Sequence, residues 1–319
     1  MTFWHPRIGA LLVAAAAACG RPSTHRPAAG GQAFDPLAWR PPADSEIPAD
    51  SVGASIRRGL ALVMHTPDSL PRYAPGNISC SNCHLAGGRN PDAAPLTGSH
   101  ARFPKYLERT GAVIGLADRV NYCFTRSLAG NRLPPDSREM QDILAYIAWL
   151  SRGVPVGAGS ALPGANGISA MTVSLEGNAE RGRQVYAAKC VACHQLDGQG
   201  MRAAGVSFPA LWGSRSFSVG ASMARQTKAA SFIWHNMPLG AGKSLTPQQA
   251  FDVAAYVTSQ ARPDSPGKGR DWPSGGAPAD VPYATQGHAA FLPPPVLPRA
   301  NPSRALVDVP RSANVSGRQ

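Results

Sequence analysis

The chain has 319 residues, 43% of them hydrophobic and 16% charged, with a formal net charge of +12 and a pI near 9.9. That apolar fraction excludes a chain kept unfolded by its composition, and the length suffices for two domains. The positive charge includes no basic run and no nucleic-acid motif, so no nucleic-acid partner is expected, and the field favours small anions and acidic proteins.

Residues 1–19 run from a short basic start, Met1 to Arg7, into apolar Ile8 to Ala18, a stretch too short for a permanent membrane span. This predicts a signal peptide and a periplasmic protein. Ala16-Ala17-Ala18-Cys19-Gly20 resembles a lipobox, in which the cysteine is lipidated and becomes the mature N-terminus. Ala16 stands where leucine is usual, and a plain small-residue cleavage site fits as well. The two readings differ in whether Cys19 carries a lipid anchor, and both place the mature chain outside the cytoplasm. Residues 20–52, rich in Pro, Ala and Gly, read as a linker or loosely packed extension.

Residues 53–152 form the first expected domain. Ser55 to Met64 sets Ile56, Leu60, Leu62 and Val63 among Arg57 and Arg58, which predicts an amphipathic helix. Cys80-Ser81-Asn82-Cys83-His84 follows, a C-x-x-C-H motif. In such a motif two thiols form thioethers to the porphyrin vinyl groups of a haem, and the adjacent imidazole supplies one axial ligand to its iron. A redox dithiol or half a zinc site explains the cysteines but not the histidine. Arg138 to Leu150 predicts the closing helix, with Met140, Ile143, Leu144, Ile147 and Leu150 on one face and a capped start at Asp136 with Glu139. On that face Met140 reads as core packing.

After a Gly/Pro/Ala/Ser-dense linker, 153–167, the plan repeats in 168–263. Gly177 to Lys189 is a helical lead-in, Cys190-Val191-Ala192-Cys193-His194 is a second C-x-x-C-H, and Thr246 to Ala261 is a closing helix. Thr246, Pro247 and Gln249 give that helix a capping-box start. Beyond it the chain fills with Pro and Gly. An extended strap is expected to about Arg299 within 264–319, with a disordered end. The fold class is therefore mainly α: two cytochrome c-type haem domains in tandem, with a C-terminal strap and two covalently bound haem c groups.

Each haem needs a second axial ligand. For the second, Met237 in Asn236-Met237-Pro238 is the candidate, since a thioether favours ferrous iron and raises the potential; His235, Met201 and Met223 are the alternatives. For the first, no comparable methionine loop exists. Cys123 is the natural distal candidate, against the alternative that it is buried packing. A thiolate would stabilise ferric iron and lower the potential.

Asn82-Cys83-His84-Leu85 with Gly87-Gly88, Phe103-Pro104, Tyr106, Arg109 and the segment Arg119 to Ser127 resemble the dihaem thiosulfate dehydrogenases. Phe232-Ile233, Asn236-Met237-Pro238 and the strap from Trp272-Pro273 to Pro282-Tyr283 extend the resemblance. It implies a bacterial periplasmic cytochrome that couples two thiosulfates to tetrathionate, in either direction, and passes electrons to a soluble or membrane-bound cytochrome. It also implies that the first haem, with His84 and Cys123, is the active site, and that the second, with His194 and Met237, is the electron exit. Some relatives carry a lysine before the methionine and can exchange ligands with redox state; this chain has Asn236 there, so such a switch is not expected. Arg109, Arg119 and Arg126, with Ser127, match the pattern around the cysteine and would offset the charge of thiosulfate dianions. Arg89, Arg102 and Arg132 read as surface charges or haem-propionate partners. The competing readings are a dihaem electron carrier without substrate chemistry and a sulfur-oxidation cytochrome that uses a cysteine persulfide.

Overall fold

The computed structural model describes Met1 and residues 33–203 and 206–299; the expected signal peptide, Cys19 and the expected disordered end from residue 300 lie outside the described residues. Among the described residues no helix is long and apolar enough to cross a membrane.

Six helices of ten or more residues carry the described fold: α1 (Ser51–Met64), α2 (Leu116–Thr125), α3 (Arg138–Trp149), α4 (Ala179–Lys189), α5 (Gln226–Asn236) and α6 (Pro247–Ser259). Their starts follow capping chemistry. Asp50 accepts from the Gly53 N–H ahead of α1, which begins four residues before the expected Ser55. Asn178 accepts from Arg181 N–H ahead of α4. Thr246 and Gln249 close a reciprocal capping box on α6, with Pro247 in its first turn. The closing helix of the first domain departs from expectation: Ser137, not Asp136, caps α3, accepting from the Met140 N–H. Both residues are good caps, and the register of the buried face selects between them.

The two domains use one helix crossing twice. In the first, Arg58 of α1 grips the buried Asp142 of α3 with two hydrogen bonds, at 2.7 and 2.8 Å, and Ser55 donates to the same carboxylate at 2.5 Å. In the second, Arg181 of α4 grips the buried Asp252 of α6 with two bonds at 2.8 Å, and the Asn178 N–H adds a third. The residue after each arginine is a glycine, Gly59 or Gly182, set directly against the carbonyl of that aspartate. Tyr146 and Tyr256, one helical turn after the aspartates, complete the contact. Bidentate pairing fixes the orientation of each crossing, and the absent side chain fixes its close distance.

Around the first crossing Ile56, Val63, Tyr146, Trp149 and Leu150 form one buried face. The other face of α3, including fully buried Met140, packs with Leu62, Phe124, Leu133 and Phe217. In the second domain Tyr186, Val253 and Val257 pack beside an aromatic trio of Tyr186, Trp212 and Tyr256. Among the described residues sheet is confined to three two-stranded pieces. They are the hairpins β1 (Lys105–Leu107) with β2 (Ala112–Ile114) and β3 (Met201–Ala203) with β4 (Val206–Phe208), and the parallel pair β5 (Arg262–Pro263) with β6 (Val296–Leu297).

Residues 34–48 differ from the loosely packed extension that their composition suggests. Trp39 Nε1 donates to the Arg152 carbonyl at 3.1 Å, Ile47 is buried, and Arg57 reaches the carbonyls of Ile47 and Pro48. Three apolar or amphipathic anchors thus hold a segment with no periodicity of its own. Residues 264–299 run from β5 across the first domain. The Trp272 N–H donates to the Arg109 carbonyl at 3.0 Å, and Val219, Trp272, Val281 and Tyr283 form a small buried cluster. At its far end Arg299 donates to the carbonyls of Thr125 and Gly130 at 2.6 Å.

Candidate active site and haem sites

The histidine of each C-x-x-C-H motif is held by one ring nitrogen. His84 Nδ1 donates to the Ala94 carbonyl, and His194 Nδ1 donates to the Pro209 carbonyl at 3.0 Å. A carbonyl can only accept, so each bond fixes the tautomer that leaves Nε2 with its lone pair available to iron. Burial pushes the Cys80, Cys83 and Cys190 thiols up to about 11, 12 and 11, as expected for attachment cysteines enclosed among apolar groups. Among the described residues no three His, Cys, Asp or Glu side chains converge as a metal chelate. In each C-x-x-C-H motif the two thiols and the adjacent imidazole fit thioether attachment and axial ligation of a haem.

Cys123 behaves differently from the other thiols. It projects from α2, forms no disulfide among the described residues, and accepts a hydrogen bond from Arg119 Nη1 at 2.9 Å. Burial acts upward on its pKa, but the Arg119 guanidinium and the nearby His84 imidazole outweigh it and bring the thiol down to about 6. Its charge is also felt at Cys80 and Cys83. Cys123 therefore lies beside His84, close to the two cysteines of the first C-x-x-C-H motif.

Beside Cys123 lies a cavity of about 110 Å³ lined by Leu107, Arg109, Arg119, Tyr122, Arg126, Ser127, Gly220 and Ser222. All three arginines singled out in the sequence, and Ser127, meet there. Arg119 and Arg126 come from α2 and its end, and Arg109 from the turn between β1 and β2. Arg109 donates to Asp271 at 3.0 Å, to the Gly220 carbonyl at 2.7 Å and to the Tyr283 hydroxyl, and it lies 4.8 Å from the Trp272 ring. Arg126 donates to the other oxygen of Asp271 and stacks 4.4 Å over Tyr122. Three guanidinium charges against the Asp271 carboxylate and the Cys123 thiolate leave a net charge of +1 around the cavity.

The other basic residues have partners outside the cavity, although Arg102 lies near enough to Arg119 for the two charges to interact. Arg89 pairs with Asp44 and Tyr146, Arg132 pairs with Asp118, and Arg102 bonds Ser99 and the Ala165 carbonyl. Sequence reasoning missed Asp271, Tyr122 and Tyr283 as parts of the site. The available signal was the strap itself, since Trp272-Pro273 and Tyr283 belong to the resemblance while the acid that pairs the arginines directly precedes them.

At the second site, Met237 follows α5 directly, its N–H bonded to the Ile233 carbonyl at 2.8 Å, and its side chain packs against Ala93, Ile168 and Phe232. Of the alternative donors, Met201 accepts from Gln195 at 2.9 Å and Met223 packs among apolar clusters of both domains, whereas His235 lies 3.6 Å from Asp92 with both ring nitrogens buried and without a hydrogen-bond partner among the described residues. Met237 and His235 are thus candidate donors not committed to a hydrogen bond. Asn236 turns away from this site: it accepts from Asn90 at 3.1 Å and donates to the Asp92 carbonyl at 3.2 Å. Residues 90–94 thus join the hydrogen-bond partner of His84 to the residue beside Met237.

Comparison with known proteins agrees with this architecture. The SoxA/TsdA cytochrome c domain family matches residues 72–156, and the cytochrome c family matches residues 179–261. The thiosulfate dehydrogenase of Psychrobacter arcticus is 40% identical over 242 residues, covering 75% of this chain and 73% of that protein. That of Allochromatium vinosum is 43% identical over 228 residues, covering 70% and 83%. The structure of the as-isolated thiosulfate dehydrogenase TsdBA from Marichromatium purpuratum superposes with a TM-score of 0.69 at 29% identity, over 79% of this chain and 57% of that one. The present chain thus spans little more than half of that longer chain. With two tandem haem-binding domains of these families and this extent of identity, the chain belongs to the thiosulfate dehydrogenase family of c-type cytochromes, oxidoreductases that carry two covalently bound haem c groups.

Proposed function

We propose that this protein oxidises two thiosulfate ions to tetrathionate beside Cys123 and passes the electrons through the second haem to a cytochrome acceptor outside the cytoplasm. The observation that carries this reading is the cavity in which Arg109, Arg119, Arg126 and Ser127 meet next to the arginine-bonded thiolate of Cys123. The reaction forms one sulfur–sulfur bond between the two sulfane sulfurs and releases two electrons; no proton is transferred. Bound haem supplies the one-electron acceptors.

The chain's own residues hold the substrates. Two dianions about 5 Å apart repel by about 3 kcal/mol even at the dielectric constant of water, and by more in a cavity. The net +1 from three arginines, Asp271 and the Cys123 thiolate opposes that repulsion, with the guanidinium groups already fixed before substrate arrives. As the bond forms and electrons depart, four bound negative charges become two, which removes most of that repulsion. Tetrathionate reduction would use the same groups in reverse.

Electron exit through the second haem is supported by residues 90–94, which bond His84 at one end and Asn236 at the other. Export rests on the apolar stretch Ile8 to Ala18, and a lipid anchor on Cys19, where the small residues before it resemble a lipobox. The test is thiosulfate-dependent reduction of an artificial acceptor by the haem-loaded protein, with the sulfur product analysed. Acceptor reduction with one tetrathionate per two electrons is expected; no reduction, or a different sulfur product, overturns the reading.

A further inference from the structure

The arginines of the cavity come from the first domain, but what holds two of them does not. Asp271 lies in the strap, 145 residues after Arg126 and 162 after Arg109, and is only 3% exposed. Its two carboxylate oxygens are divided between the two guanidinium groups: Oδ2 takes Arg109 Nε at 3.0 Å and Oδ1 takes Arg126 Nη2. Tyr283, also in the strap, donates to Oδ2 at 2.6 Å while its oxygen accepts from Arg109, and Tyr122 reaches Oδ1 at 3.4 Å.

Burial raises the Tyr283 pKa, so its hydroxyl stays a neutral donor to the carboxylate. Aromatic faces of Trp272, at 4.8 Å from Arg109, and Tyr122, at 4.4 Å from Arg126, limit how either guanidinium can tilt. A guanidinium has five N–H donors. Those of Arg109 Nη1 have no protein acceptor among the described residues and are left for a bound anion.

We propose that Asp271 is the positioning residue of the anion site: the C-terminal strap, through Asp271 with Tyr283, sets Arg109 and Arg126 at the spacing that receives the substrate anion. The inference rests on the reading of this cavity as the thiosulfate site. A carboxylate inside an anion-binding cavity opposes the bound charge. If Asp271 were only a counter-charge, its removal would raise the site from net +1 to +2 and tighten anion binding. If it positions the arginines, the same removal releases two long side chains into several rotamers, and binding weakens despite the added positive charge. The sign of the change in KM separates the two roles.

The experiment compares the haem-loaded wild type with Asp271→Asn and Tyr283→Phe. It measures thiosulfate KM and kcat with an artificial acceptor, and uses electron paramagnetic resonance to check the thiolate signature of the first haem. For Asp271→Asn the expected result is a KM raised about 10-fold or more, a kcat changed less than about 3-fold, and the thiolate signature retained. For Tyr283→Phe, which keeps both charges, a KM raised about 3-fold is expected. A KM for Asp271→Asn equal to or below that of the wild type overturns the inference. Should Asp271→Asn fail to fold with both haems, Tyr283→Phe decides: a wild-type KM there overturns the inference equally. A wild type that does not oxidise thiosulfate instead overturns the functional reading on which it rests.

Discussion

Replacing Gly59 or Gly182 by alanine should destabilise the protein, and helix propensity alone argues the opposite. Both glycines lie inside helices, where alanine is favoured by about 1 kcal/mol. A Cβ on Gly59, however, would stand 2.0 Å from the Asp142 carbonyl oxygen and 2.8 Å from the Tyr146 Cβ; on Gly182 it would stand 1.9 Å from the Asp252 oxygen and 2.9 Å from the Tyr256 Cβ. Real contacts of this type stay beyond 3.0 Å, so the crossing must open by about 1 Å. Both partners are backbone or first side-chain atoms, which no rotamer change can move aside. Overpacking of this kind costs about 3 kcal/mol, at the upper end of its usual range. The net loss is then about 2 kcal/mol, or about 3 °C in Tm for a chain of this length unfolding as one unit. The assay is thermal unfolding of the haem-loaded protein with each haem followed separately. Gly59→Ala should perturb the thiolate signature of the first haem before the second responds, and Gly182→Ala should do the reverse. A Tm at or above that of the wild type in either variant would refute the steric argument, because only propensity would then be acting.

Cys123→Gly should retain both haems, since attachment uses Cys80, Cys83, Cys190 and Cys193, but lose thiosulfate oxidation; mass spectrometry and the acceptor assay check the two halves. Met237→Gly should remove the thioether-to-iron absorption at the red end of the visible spectrum and lower the potential of one haem, measured by redox titration. Asp252 carries a pH dependence. Burial acts upward on its pKa, but Arg181, the Asn178 N–H and Gln248 outweigh it, so the folded value lies below the ordinary 3.8. A depressed carboxylate contributes stability that is present above the unfolded value and is lost as pH falls through the folded one. Acid unfolding of Asp252→Asn should therefore be less steep below about pH 4 than that of the wild type, as read from equilibrium denaturation at a series of pH values.

What the sequence determined by itself was the chemistry that is local in the chain. A C-x-x-C-H motif holds two thiols and an imidazole within five residues, so its haem reading needs no tertiary information. The capping box of Thr246 and Gln249 and the apolar spacing of Met140, Ile143 and Ile147 are local for the same reason. Cys123 was legible as the cysteine that haem attachment leaves over in the core, and the arginines because they match the family's pattern around it.

Tertiary structure alone decided which charges face one another. Asp271 reads in sequence as an ordinary acid in a Pro/Gly-rich tail, and only the path of the strap over the first domain places it between Arg109 and Arg126. The glycines of the two crossings likewise look like helix defects until the partner helix is present. Ser137 prevailed over Asp136 as a cap because the buried face of α3 fixed the register. In each case the deciding energy is a contact between segments distant in the chain, whose geometry the intervening fold sets and no local pattern records.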